Sequence, residues 1–508
     1  MGNPTERRFN LVDEAWIPVS GEGRVSLMRI FTDPGLKALG GNPVEKIAIM
    51  KLLLAITQAA HTPENDEEWA ALGSNGIAAK SVHYLEEKRD LFWLYGDKPF
   101  LQIPAISSIP ERNYGTGFYP DLQADNNPIL FQCQIDNGLD DNQRAMFLIT
   151  LMGFALGGKR IGEPVVLSNG YIGKTKSAKA GPNLGYKGYL HNFLSGITIH
   201  DTIWLNLYTS GHIKRLTIFP SGLGTPPWEK IPEGEDCETA KKLKRSYMGC
   251  LIPLCRFVFF GKDTLNYTEG IQYPNHKSGW REPSIAYNDR KKNLQMLWAD
   301  PQKRPWREVV SLLSFVTTTQ MTDGFECRQI QDLLSRPRKF GVVKFGIWSG
   351  GLSVTDVSSD QSVKKDDDYI ESEVYFYSEW FGKDNWLTYL KNEMNNLNEM
   401  AKIVTASTIK YFDSKNKNNK KISPLAKNKK IFAESLFWQL SERQFQKLVD
   451  ACGEDSTGEK AVAMRRIFID YANRAFNSVC PRDTARQMEA WAANRPSLGR
   501  FLKTDIKQ

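Results

Sequence analysis

The chain has 508 residues, of which 41% are hydrophobic and 24% charged, and it carries a net charge of +8. That composition excludes a disordered chain and a uniformly cationic, histone-like one, and it allows two or three domains with large cores. A modest positive surplus on so long a chain points to local basic patches.

The N-terminus, MGNPTERRFN, has no apolar core of a signal peptide, and the seven cysteines are an odd number scattered from Cys133 to Cys480. A reducing cytoplasm is the expected setting. Residues 9–31 predict a hairpin. Trp16-Ile17-Pro18-Val19 enters a turn at Ser20-Gly21-Glu22-Gly23, and Val25 to Ile30 returns. Residues 43–60 predict a helix with Ile47, Met50, Leu53, Leu54 and Ala55 on one face. This strongest apolar stretch contains Lys51 and Gln58 and is too short to span a bilayer, so no membrane partner is expected. A second helix is predicted over 141–158. It is capped by Asp140 or Asp141, turns Met146, Ile149, Leu151 and Phe154 to a core, and is stopped by Gly157-Gly158.

The segment SNGYIGKTKSAKAGPNLGYKG, residues 168–188, holds five glycines, four lysines and no acid. Glycine lets a backbone approach a ligand closely, and lysine supplies charge for phosphate. A P-loop reading fails on spacing, because Gly173-Lys174-Thr175 would require glycine where Ser168 stands. A surface loop with solvated lysines is the plain alternative. Short β-like runs follow at 196–208, 255–261, 283–287, 342–357 and 369–377, a mixed middle section. From about Glu379 the pattern turns helical, over 385–412, 423–452, 457–480 and 484–502. The fold class expected is α+β: a mixed domain at 1–379 and a C-terminal four-helix bundle at 380–508. Lys410, Lys415, Lys417, Lys420 and Lys421 crowd the first connection of that bundle, either as a solvated face or as a phosphate contact.

No constellation for catalysis stands out. His200-Asp201, with His191 or His212 assisting, is the nearest thing to an HD metal-dependent nuclease, but His200 ends an alternating run that reads as a strand. Cys250 and Cys255 have no second Cys/His pair at finger spacing, so neither a metal nor another cofactor is expected. Asp366-Asp367-Asp368 in a polar turn reads as solvated charge.

Four stretches in order carry a family resemblance. FNLVDEAWIPV with GEGRVSLMRIF, FWLYGDKPFLQIP at 92–104, the helix from Asp141 with its glycine-rich loop, and AESLFWQLSERQF at 433–445 resemble the large subunit of type I-E Cascade, the CasA (Cse) family. The resemblance implies a non-catalytic subunit of an RNA-guided surveillance complex. Such a subunit reads the protospacer-adjacent motif (PAM) in double-stranded DNA, starts strand separation and recruits a helicase–nuclease in trans. It implies PAM contacts by Asn169, Gly170, Gly173, Lys174 and Lys176, with Gln272 or Lys277 where the family carries a lysine finger. It implies a wedge at Asp360, Gln361 and Ser362, on a hairpin formed by 346–357 and 369–377. Arg290, Lys291 and Lys292 would guide the displaced strand. Lys420 and Lys421 would give the bundle a DNA contact, and Phe131 would dock the crRNA 5′ end and a neighbouring Cascade subunit. The chain departs from the family in reading Glu269-Gly270-Ile271-Gln272-Tyr273 at the finger, and in lacking the cysteine pairs that bind zinc in some members. The rival readings are the HD-type nuclease and a structural interaction protein with incidental basic loops.

Overall fold

The computed structural model describes residues 8–112, 139–159, 164–168, 177–290, 292–317, 324–354, 361, 369–382, 385–413, 422–454 and 459–502. Two compact units are formed, one from Met1–Pro305 and Phe315–Glu373, the other from Trp306–Ser314 and Val374–Gln508.

In the larger unit, strand β1 (Ile17–Val19) pairs antiparallel with β2 (Gly23–Val25). The expected return strand to Ile30 stops there. Ser26 accepts a hydrogen bond from the Arg29 amide and starts helix α1 (Leu27–Thr32), which buries Leu27, Ile30 and Phe31. An i, i+3, i+4 set fits a helix, and the serine cap decides against the strand. Helix α2 (Pro43–Ala60) has the predicted limits, with an Asn42–Glu45 capping box and Pro43 in its first turn. It has no exposed middle face, because every residue from Ile47 to Gln58 is buried. Helices α3 (Asp66–Glu87) and α4 (Asp141–Phe154) pack against this central helix. Asp140 caps α4 in a box with Gln143, and the helix ends before the predicted Gly157-Gly158 stop, since Ala155 turns to ψ 135°.

Beyond α4, β3 (Gly158–Lys159) pairs antiparallel with β4 (Ser177–Ala178). Strand β5 (His191–Ser195) follows. The predicted strand over 196–208 is instead helix α5 (Ile199–Asn206), capped by Thr198, which accepts from the Asp201 amide. Its β-branched residues favour a strand locally, but Ile199 and Ile203 bury one helical face. Trp204 also stacks on Trp69 of α3 with centroids 4.1 Å apart and rings 4° from parallel. Each indole N–H donates to the other's carbonyl, at 2.7 and 3.0 Å. Tertiary packing overrides the local preference here.

Strands β6 (Arg256–Phe260) and β7 (Leu265–Glu269) form one hairpin. A second joins β8 (Tyr287–Asn288) to β9 (Gln295–Met296), so the expected strand at 283–287 is confined to its last residue and the next. Strand β10 (Lys344–Leu352) pairs antiparallel with β5, Ile347 opposite Leu194. With β11 (Tyr369–Tyr377) they make a sheet ordered β11–β10–β5, so the two runs expected to pair are neighbours.

The smaller unit is helical: α6 (Trp386–Asp413), α7 (Pro424–Glu454), α8 (Glu459–Val479) and α9 (Ala485–Ala493). Apolar residues of α6 recur at helical spacing, and Leu390, Met394, Leu397, Ala401 and Val404 are buried. Glu393 of α6 takes Arg465 of α8 in a two-pronged ion pair, with Arg465 Nε 2.9 Å from Glu393 Oε2. Trp306 joins this unit against Phe445, with centroids 4.4 Å apart. The fourth helix is shorter than the predicted 484–502 and buries none of its residues. None of the described helices is long and apolar enough to cross a membrane.

Candidate nucleic-acid interface

Asn169, Gly170, Gly173, Lys174 and Lys176 lie outside the described residues, and the stems of their segment are held by specific contacts. The β3–β4 pairing closes the segment's base, Gly158 opposite Ala178. Arg256, buried in β6, uses its guanidinium to hold both approaches. Nη2 donates to the carbonyls of Leu156 at 3.1 Å and Lys179 at 2.6 Å, and Nη1 donates to Cys255 at 2.7 Å. Its Nε donates to the Tyr267 hydroxyl at 2.9 Å. On the other stem the Ser168 amide donates to Glu235, 3.2 Å away. Three of the five glycines serve this scaffold, and a Cβ at Gly185, where φ is +67°, would lie 2.3 Å from the Tyr189 ring. A Cβ at Gly181 would lie 2.2 Å from the Gly153 carbonyl oxygen, and one at Gly188, where φ is +85°, would lie 1.6 Å from that of Leu352.

Under the C-terminal stem sits a buried polar network. Lys51 Nζ on α2 lies 3.0 Å from Glu282 Oε1 and donates to Asn183 Oδ1 at 2.8 Å. Asn183 in turn accepts His191 Nε2 at its carbonyl, 2.7 Å away, while His191 Nδ1 meets Ser284 Oγ at 2.7 Å. Ser284 donates to Glu282. Burial works against the Glu282 charge, but Lys51 and His191 outweigh it and hold the carboxyl below its usual range. Burial pushes His191 down to about 4. A histidine lowered from 6.5 to about 4 on folding contributes stability that is full above pH 6.5 and is lost as pH falls toward 4. The larger unit should therefore lose on the order of 3 kcal/mol across that window from this group alone. Urea midpoints measured from pH 7 to pH 4 should fall less steeply in His191→Gln than in the wild type. Equal slopes would remove His191 from the account.

Gln361 is described, and it is fully engaged. Its amide N–H donates to the Gly157 carbonyl at 2.9 Å, and its side-chain Oε1 accepts from the Gly157 N–H at 2.9 Å. Its Nε2 donates to the carbonyls of Gly185 at 2.7 Å and Tyr186 at 3.0 Å. One glutamine thus bridges the two stems of the glycine-rich segment. Lys277, exposed on a 3-10 turn at His276–Ser278, places its ammonium 5.4 Å from the ring centroid of Tyr186. Gln272 behaves differently, because its Nε2 is buried and has no hydrogen-bond partner among the described residues. Arg290 and Lys292 are exposed between β8 and β9, and the Arg290 amide donates to Asn288 Oδ1 at 3.1 Å. Gln361, Tyr186 and Lys277 meet on the same stem, while Arg290 and Lys292 sit on a separate hairpin.

Asp360, Ser362, Lys291, Lys420, Lys421 and Phe131 lie outside the described residues. The residues of the HD reading are committed elsewhere. His200, on α5 and not at a strand end, meets the Ile30 carbonyl with its Nε2 at 2.8 Å. Asp201 accepts the Thr198 hydroxyl at 2.9 Å. His191 belongs to the network above, and His212 meets the Thr209 hydroxyl at 2.6 Å and Arg336 at 3.1 Å. Among the described residues no three His, Cys, Asp or Glu side chains gather as metal ligands would.

A model of the CRISPR-associated protein Cse1 family matches residues 10–475. The chain belongs to the Cse1 family. A relative from Thermus thermophilus, CRISPR-associated protein CasA/Cse1, is 27% identical over 336 residues, a stretch that spans 60% of this chain and 60% of the relative. The crystal structure of Thermus thermophilus CasA has the same fold, with a TM-score of 0.72 at 18% identity over 98% of this chain and 99% of that one. A chain of a CRISPR RNA-guided surveillance complex is similar in fold too, with a TM-score of 0.68 at 13% identity, covering 97% of this chain and 100% of that chain.

Sequence reasoning missed Arg256, Lys51, Glu282 and Asn183, the residues that hold the stems. Lys51 did carry a signal: a lone charge in the middle of an apolar helix needs a buried partner. Nothing local marks Glu282 as that partner.

Proposed function

We propose that this chain is the non-catalytic large subunit of an RNA-guided surveillance complex acting on duplex DNA in the cytoplasm. In this reading the glycine-rich segment approaches the minor groove of the PAM and Lys277 enters beside it. Gln361 leaves its stem contacts to wedge between the base pairs that follow, and Arg290–Lys292 guide the displaced strand. Lys420 and Lys421 give the helical unit a backbone contact, Phe131 meets the crRNA 5′ end beside other subunits, and a helicase–nuclease is recruited in trans. The observation that carries the reading is the convergence of Gln361 and Lys277 on Tyr186, at the foot of the glycine-rich segment. A minor groove offers few distinguishing groups, so one backbone-lined approach and one cation are enough to sense its shape and the guanine amino group.

Between the two finger residues, exposure supports Lys277 over Gln272. In the assembled complex, binding to a library of randomised flanking sequences should lose its preference with Lys277→Ala and keep it with Gln272→Ala. The reverse outcome would move the finger to Gln272. Lys174→Ala with Lys176→Ala should weaken binding to all flanks alike and flatten its salt dependence. Each lost phosphate contact should reduce the slope of log K against log salt by about 0.9. An unchanged slope would take both lysines out of the interface.

A further inference from the structure

Beside the Gln361 contacts lies an open cavity of about 540 Å³ lined by Tyr186, Lys277, Leu294, Met296 and Trp298 among others. That volume suits a nucleotide-sized ligand. Its walls are aromatic. Trp298 stacks one face on Tyr189, with centroids 5.0 Å apart and planes 11° from parallel, and takes the edge of His276 at 5.2 Å. His276 is fixed by the Tyr189 hydroxyl at 3.0 Å from its Nδ1. Burial, then Lys277 and Arg281, lowers the pKa of His276, so the ring adds no charge near neutral pH. Leu294 and Met296 supply an apolar floor, with Lys187 and Lys277 as the cations, and no carboxylate is among the lining residues described.

Flat rings, an apolar floor, two cations and no acid fit a base joined to a phosphate, and they disfavour a cation or a basic peptide. The place matters as much as the lining. Tyr186 forms one wall, and its carbonyl is the one that Gln361 holds at 3.0 Å. A wedge that enters a duplex at this point leaves a base without its partner, and an unstacked base in water loses the contacts that a ring can restore. We propose that this cavity receives one unpaired nucleotide of the opened duplex, its base against Trp298 and its phosphate toward Lys277. The inference rests on the reading that duplex DNA is opened at this surface, and it adds a second holding point, one that shares Lys277 with the PAM contacts and adds Trp298.

The test uses the full chain and forked duplexes in which 2-aminopurine is moved through the first unpaired positions of each strand. One position on one strand should lose fluorescence on binding, through stacking in the cavity. Trp298→Ala and Leu294→Asp should abolish that loss and weaken forked DNA about tenfold, and Trp298→Ala should leave fully paired PAM duplex unchanged. Trp298→Phe should retain the loss, which separates stacking from a folding defect. No responsive position, or a response that survives Trp298→Ala and Leu294→Asp, would overturn the proposal. So would dAMP that quenches Trp298 as tightly as the fork does, which would assign the cavity to free nucleotide. A wild-type chain that binds forks through the cavity but ignores the PAM in paired duplex would sink the PAM reading and leave the cavity standing.

Discussion

Gln361→Ala should slow R-loop formation on fully paired target DNA by about ten- to a hundredfold, read by stopped-flow strand-separation kinetics with the assembled complex. A side chain that enters a duplex takes the place of a stacked pair, and unstacking costs a few kcal/mol. A planar amide offsets part of that by stacking and by hydrogen bonding to exposed base edges. In the free chain the same amide bridges Gly157, Gly185 and Tyr186, so its release is linked to whatever displaces those stems. On a target already mismatched over the first PAM-proximal pairs, opening needs no wedge and the variant should match the wild type. Equal losses on both substrates would make Gln361 an ordinary contact. No loss on either would move the wedge to another residue of the β10–β11 connection, with Thr355 and Asp356 next.

Lys51→Met should cost the larger unit about 3–5 kcal/mol, the usual effect of leaving one member of a buried ion pair without its partner. The orphaned group is Glu282, 3% exposed at its side chain, and Asn183 loses its donor at the same time. Since Asn183 sits between Gly181 and Gly185, DNA binding should weaken along with folding. Replacing both charges, Lys51→Met with Glu282→Leu, should recover much of the loss, because an apolar pair of similar volume avoids the desolvation penalty. Urea unfolding of the two variants would show it. A double variant no more stable than Lys51→Met would mean that the remaining contacts of Glu282, to Ser284 and His191, matter more than its charge partner does.

Some elements were legible because local signals agreed. Asn42-Pro43 with Glu45 marks the start of α2, and Asp140 with Gln143 marks that of α4. The long helices α6, α7 and α8 announce themselves by spacing sustained over several turns. Residues 196–208 misled because Thr198, Ile199, Thr202 and Ile203 are β-branched, and only the Trp69–Trp204 stack shows why a helix wins. The residues that build the site were less legible. Gln361 stands out in the sequence only as a predicted hairpin midpoint, and its bonds to Gly157 and Gly185 come from tertiary structure that no spacing encodes. Arg256 reads locally as one residue of a β-run, and its role in gripping Leu156 and Lys179 depends on how three segments converge. Trp298 belongs to no motif, and its significance lies in its neighbours.

A subunit that reads the flanking motif must lend its selectivity to the whole complex. The direct measurement is affinity of the guide-loaded complex, with and without this subunit, for a matched duplex flanked by a randomised motif. With the subunit present a narrow set of flanks should be enriched, and Lys277→Ala should erase that enrichment while duplexes of every flank still bind weakly through phosphate contacts. The same enriched flanks in a complex that lacks the subunit would contradict the account.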